Sequence, residues 1–127
     1  MGINSETATK IMGWHSYQDR NNSGWENEDG LKKPFWSWRP DVIMNQAKII
    51  IEKMNDRGLS ILVEQSITDL KHYKVSFLLY KDDKIACMGV GEDREGNLAK
   101  AICIAALDTL EDKEDYWSSP EGIEQLR

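Results

Sequence analysis

A chain of 127 residues, 40% of them hydrophobic, is long enough to bury one core without disulfide staples. Its net charge of −6, from 22 acidic and 16 basic residues, argues against sequence-independent nucleic-acid binding, where neutralising phosphates supplies most of the affinity. No apolar run reaches membrane-spanning length, and MGINSETATK at the start lacks the basic and apolar regions of a signal peptide, so a cytoplasmic protein with no membrane contact is expected.

Taken in order, residues 5–12 (SETATKIM) read as one or two helical turns, with Ser5 as N-cap and Ile11 and Met12 as anchors. Residues 12–40 then run without periodicity and are rich in Gly, Asn, Asp and aromatics. Four of the five tryptophans, Trp14, Trp25, Trp36 and Trp38, fall in this first third. A long loop with so many rings orders against something, so the expectation is an ordered, irregular aromatic flap.

Pro40 and Asp41 mark the start of a helix, with Asp41 as N-cap. Ile43, Ala47, Ile50, Ile51 and Met54 form its apolar stripe, and Gly58 follows as a left-handed C′ residue. Three strands come next, over residues 59–65, 73–80 and 85–90. Leu59, Ile61 and Val63 alternate inward, as do Val75, Phe77 and Leu79. Tyr73, Leu78 and Tyr80 are assigned to the opposite face. Lys81-Asp82-Asp83-Lys84 is a tight hairpin turn.

Residues 91–110 read as a loop feeding a helix capped by Asn97. Four alanines within 99–106 thin one face, which lets the helix lie close on the sheet as a lid. The tail carries an acidic run, then Ser119, Pro120, Ile123 and Leu126, which suggest a short terminal helix. The expected architecture is α+β: helix, three-stranded antiparallel meander, helix (α-β-β-β-α). One domain covers residues 1–127: turn and flap (1–40), core (41–111), tail (112–127).

Candidate chemistry concentrates in the flap. Trp14, Tyr17, Trp25, Phe35, Trp36 and Trp38 are interleaved with Arg20, Lys32, Lys33 and Arg39. Rings stack on nucleobases and guanidinium groups pair with phosphate oxygens, which is what a nucleotide pocket needs. The same rings could instead cover the free side of a thin meander, and the sequence leaves both readings open. Arg94, ahead of the last helix, could aim at an anion. The candidate ligand-binding set is therefore Trp14, Trp25, Trp36, Trp38, Arg39 and Arg94.

Neither His15 nor His72 has a nucleophile or carboxylate at a recognisable spacing. Two histidines and two cysteines give no zinc pattern. Asp82, Asp83 and the acidic tail are explained by a turn and a solvated helix end. Cys87 and Cys103, both flanked by apolar residues, read as reduced, buried thiols. No catalytic residue, metal or cofactor is expected, and the chain reads as a binding protein, not an enzyme. The alternative is a structural or protein-interaction module, in which flap and tail complete a homo-oligomer.

Two resemblances follow. The element order matches the double-stranded-RNA-binding domain. That family opens its last helix with a lysine cluster that grips phosphates, whereas Glu92-Asp93-Arg94-Glu95 stands here and would repel them. The topology is retained and duplex binding is not expected. Residues 9–111 also resemble the phage ABA sandwich domain family of bacteriophages and prophages of Firmicutes. The resemblance is carried by KIMGW (Lys10 to Trp14), a Trp-rich loop ending in a proline, an EKM-containing helix (Glu52 to Met54), three short strands and AICIAAL (Ala101 to Leu107). Arg39-Pro40-Asp41 stands where relatives tend to carry a Pro-Ser-Thr helix start. The resemblance implies a phage or prophage accessory protein working in the host bacterial cytoplasm. Small phage proteins of this size often act against host defence, including by sequestering cyclic nucleotide signals.

Overall fold

The computed structural model describes residues 2–110. It is an α+β fold with three helices and two separate three-stranded antiparallel sheets. The expected order α-β-β-β-α is present as α2 (Met44–Asp56), β4 (Leu59–Gln65), β5 (Tyr73–Lys81), β6 (Lys84–Asp93) and α3 (Leu98–Leu110). The short terminal helix expected in the tail lies outside the described residues.

The N-terminal segment begins as α1 (Ile3–Glu6) and widens into a π-helical turn over Thr7–Ile11. Ser5 sits inside α1 and does not cap it; Gly2 precedes the first turn without a side-chain cap. Thr7 and Thr9 return their hydroxyls to the carbonyls of Asn4 and Ser5, a competition that loosens the α ladder. Thr7, Ala8 and Ile11 are buried.

The flap is ordered and aromatic, and it holds regular structure that its sequence did not announce. β1 (His15–Gln18), β2 (Ser23–Glu26) and β3 (Lys32–Pro34) pair in chain order. The turns set the register. Asp19 N–H bonds to the Asn22 carbonyl across the first. In the second, the Asn27 carboxamide oxygen accepts from the N–H of Asp29 and Leu31, and Gly30 takes φ 80°. Gly24 faces Pro34 so closely that an added Cβ would meet the Lys33 carbonyl oxygen, so no side chain fits there.

The core builds on α3. Its residues Ala99, Ala101, Ile102, Cys103, Ala105, Ala106, Leu107 and Thr109 are all buried. A helix apolar around most of its circumference is a central helix, and α3 packs against β5 and β6, against α2, and against the N-terminal segment. It is therefore the middle of the core and not a lid. The alanine face works as expected: at Gly91 a Cβ would lie 2.3 Å from the Ala101 carbonyl oxygen, and at Gly89 2.5 Å from that of Ala105. Helix and strand touch backbone to backbone. Asn97 caps α3, its side-chain oxygen accepting from Lys100 N–H at 3.1 Å.

Helix α2 buries Ala47, Ile50 and Met54, and Gly58 follows its C-cap with φ 87°. Asp41 is not its cap. The Arg39 carbonyl takes the N–H groups of Val42 and Ile43, so a turn intervenes and the helix begins at Met44. Arg57 donates to the Ile11 carbonyl at 3.0 Å, tying α2 to the end of the π-helical turn.

In the meander, Asp82 and Asp83 take φ 50° and 65°, a two-residue turn of the mirror-image type. Tyr73 falls on the face of Val75, Phe77 and Leu79, two residues from Val75, and packs on the core; its assignment to the outer face is corrected. Met88 is buried where the register shifts opposite Phe77 and Leu78. Cys103 is buried, but Cys87 is exposed, against the expectation of two buried thiols. The outer face of the meander stays open: Leu62, Tyr80 and Ile85 are 45%, 55% and 59% exposed. The flap does not cover it. The N-terminal segment to which the flap is tied packs on α2 and α3.

Candidate functional site

Two joints hold the aromatic flap to the rest. Trp38 is buried and its indole N–H donates to Thr7 Oγ1 at 3.0 Å. That hydroxyl also donates to the Asn4 carbonyl, so donor and acceptor are both satisfied. The second joint is Gln46 of α2. Its side-chain nitrogen donates to the Ser37 carbonyl at 2.6 Å and its oxygen accepts from Arg39 N–H. Between these joints Pro34 ends β3 and Phe35–Ser37 make one 3₁₀ turn, closed by Ser37 Oγ donating to the Pro34 carbonyl at 2.7 Å. Trp38 is turned inward. Phe35 and Trp36 are left outward, Trp36 77% exposed.

A cleft of about 460 Å³ opens there, between Trp25, Phe35, Trp36, Trp38 and Arg39 of the flap and Asn4 and Ser5 of the N-terminal segment. Trp25 and Phe35 meet edge to face, 4.8 Å apart at 74°, which fixes one wall. Trp14 meets Trp38 at 4.6 Å and 67° behind the cleft. Lys33 Nζ lies 4.5 Å from the Trp14 ring centre and 5.6 Å from that of Trp38, a cation held over two π faces. The Asn4 carboxamide oxygen accepts from Asp41 N–H at 3.3 Å, which leaves its NH₂ group available. Among the described residues, no hydrogen bond or ion pair engages the Arg39 guanidinium.

Of the six candidate residues, Trp25, Trp36, Trp38 and Arg39 line the cleft together. Trp14 backs Trp38 without lining it. Arg94 does not line it. That arginine is exposed in the turn from β6 to α3, where Asp93 Oδ2 accepts from Glu95 and Asn97 N–H. Sequence reasoning missed Asn4, Ser5, Thr7 and Gln46. No local pattern marks them, because Thr7 reaches Trp38 across 31 residues and Gln46 reaches Arg39 only once the flap has turned.

Elsewhere the titratable groups have local roles. His15 is exposed on β1, and His72 Nε2 lies 3.8 Å from Glu92 Oε1. Burial first, and the Asp41 carboxylate second, push the Cys103 thiol up to about 12. Among the described residues no three His, Cys, Asp or Glu side chains gather as a metal site, and no helix is long and apolar enough to cross a membrane. No family model, curated protein or solved structure matches the chain.

Proposed function

We propose that the chain is a non-enzymatic binding module whose flap cleft holds a small, planar, anionic ligand of nucleotide type. The observation that carries this reading is Trp36, a ring left in solvent at the cleft mouth beside Phe35 and an Arg39 whose guanidinium has no partner among the described residues. A base would stack on Trp36, with the edge-to-face Trp25 and Phe35 pair as the fixed wall. A phosphate would take the Arg39 guanidinium, and the Asn4 NH₂ group a polar edge of the base or sugar. Trp38 and Trp14 keep the wall in place from behind. The resemblance to the phage ABA sandwich family supplies the setting of this proposal: a phage or prophage accessory protein that sequesters a host signalling nucleotide.

Titration calorimetry against cyclic dinucleotides and cyclic ADP-ribose isomers tests it. The expected result is one-to-one binding that Trp36→Ala weakens about fivefold or more, given about 1–3 kcal/mol per stacked base, and Arg39→Ala about tenfold or more, given about 1.5–3 kcal/mol for a hydrogen bond to a charged group. No heat from any of them removes the nucleotide reading. A second reading is a protein-interaction module, favoured by the same exposure of Phe35 and Trp36, since aromatic anchors of this kind dominate protein interfaces.

A further inference from the structure

The meander has two edges and treats them differently. On the β6 edge, Val90 N–H donates to Asp108 Oδ2 at 2.9 Å, and α3 closes on Gly89 and Gly91. Among the described residues the β4 edge has no such cover. β4 pairs, among the described residues, only with β5, and five of its seven residues are exposed, Leu62 and Val63 at 45% and 44%. It holds no proline, lysine or bulge, the usual guards of an open edge.

The register shows which backbone groups are free. The two-residue turn closes on Lys81 and Lys84 as a hydrogen-bonded pair, so Leu79 and Lys81 aim their backbone groups at β6. Leu78 and Tyr80 then aim theirs at β4, where Ser60 lies opposite Leu78 and Leu62 opposite Ser76. Leu59, Ile61, Val63 and Gln65 are left pointing outward. Among the described residues nothing takes the backbone groups of Leu59, Ile61 or Val63 on that side.

We propose that this edge binds a second copy of the chain, β4 against β4 about a two-fold axis at Leu62, making one six-stranded antiparallel sheet. The strand is complementary to itself in that register. Leu62 meets the partner's Leu62 as a pair without backbone hydrogen bonds, where side chains come closest. Ile61 meets the partner's Val63, Ser60 the partner's Glu64, and Leu59 the partner's Gln65. On the helix side Ile61 and Val63 face each other while Leu59 faces an amide, the single carboxylate faces a hydroxyl, and no like charges oppose. The two outer faces, each with Leu62, Leu78 and Tyr80, become one continuous surface. This site is separate from the flap cleft and stands whether or not that cleft binds a nucleotide.

Sedimentation velocity and light scattering on the whole chain are expected to give a dimer at tens of micromolar. Leu62→Lys sets two ammonium groups against each other at the axis and should give a monomer with an unchanged circular dichroism spectrum. Ile85→Lys, on the same face but off the axis, should remain dimeric. In a Cys87→Ser background, Leu62→Cys should oxidise to a covalent dimer while Ser60→Cys should not. A monomer at every concentration, a dimer that survives Leu62→Lys, or equal cross-linking at both positions would overturn the proposal. If Leu62→Lys fails to fold, the cross-linking pair decides alone.

Discussion

The two sheets have the same strand count and the same simple order, yet different forces hold them. Strands β4 to β6 lay an apolar face, with Val75 and Phe77 fully buried, on two helices. Strands β1 to β3 bury only Gly24 and Trp25. Their register comes from turns, and their attachment from edge-to-face rings, a lysine over two indoles and two side-chain joints. The meander and its helices hold most of the buried core residues. The flap gives Trp25 and Trp38 to the core and leaves Phe35 and Trp36 to present their rings to solvent.

That contrast can be broken most severely where helix and meander touch. Gly91→Ala places a methyl group against the Ala101 carbonyl and Ala105 N–H, and α3 must move away from β6. Denaturant unfolding should show a loss of about 3 kcal/mol, the upper range for overpacking. A change under about 0.5 kcal/mol would mean the helix does not sit on the strand as described.

A smaller effect is expected at the joint between the two regions. Thr7→Val keeps the volume but leaves the buried Trp38 indole N–H without an acceptor. The cost should be about 2 kcal/mol, the penalty for an unsatisfied buried donor. Near-ultraviolet circular dichroism should change with it, because Trp38 packs on Trp14. Smaller still is Trp36→Ala, expected within about 0.5 kcal/mol of the parent in stability while any cleft ligand is lost. If Trp36→Ala unfolds the chain, the ring is structural and the division between the regions fails.

The same contrast explains what could be read beforehand. The meander and its helices were legible because burial on one face imposes period: Ala47, Ile50 and Met54 on α2, Leu59 and Ile61 on β4, Val75 and Phe77 on β5, alanines on α3; Val63, expected inward, is 44% exposed near the open end of β4. The central position of α3 had a signal too, since only Lys100 and Asp108 carry charge between Leu98 and Leu110. The flap strands had none. HSYQ, SGWE and KKP are short and mostly solvated, so no hydrophobic alternation exists to find. Trp25, Trp36, Trp38 and Arg39 were picked out by residue type alone, whereas Asn4 and Ser5 reach the cleft by tertiary contact. Asp41 failed as a cap because the Arg39 carbonyl captured the following N–H groups, a competition invisible in Pro-Asp.

The smallest effect concerns the two cysteines, whose ionisation should not matter to stability at neutral pH. Cys87 is exposed on β6 and should react with an alkylating reagent in the folded protein. Cys103, inside α3, should react only when the core opens. Its thiol rises from 9.0 to about 12, so the folded state keeps the proton that the unfolded state gives up. Stability is therefore full below about 9 and falls as pH climbs from there toward 12, by up to about 1.4 kcal/mol per unit. Cys103→Ala should flatten that alkaline slope and Cys87→Ser should leave it as it is. A slope that survives Cys103→Ala would move the alkaline weakness away from the centre of the core. Protection of Cys103 measured in Thr7→Val then separates the regions: with the flap loosened and the thiol still shielded, the meander and α3 hold together without it.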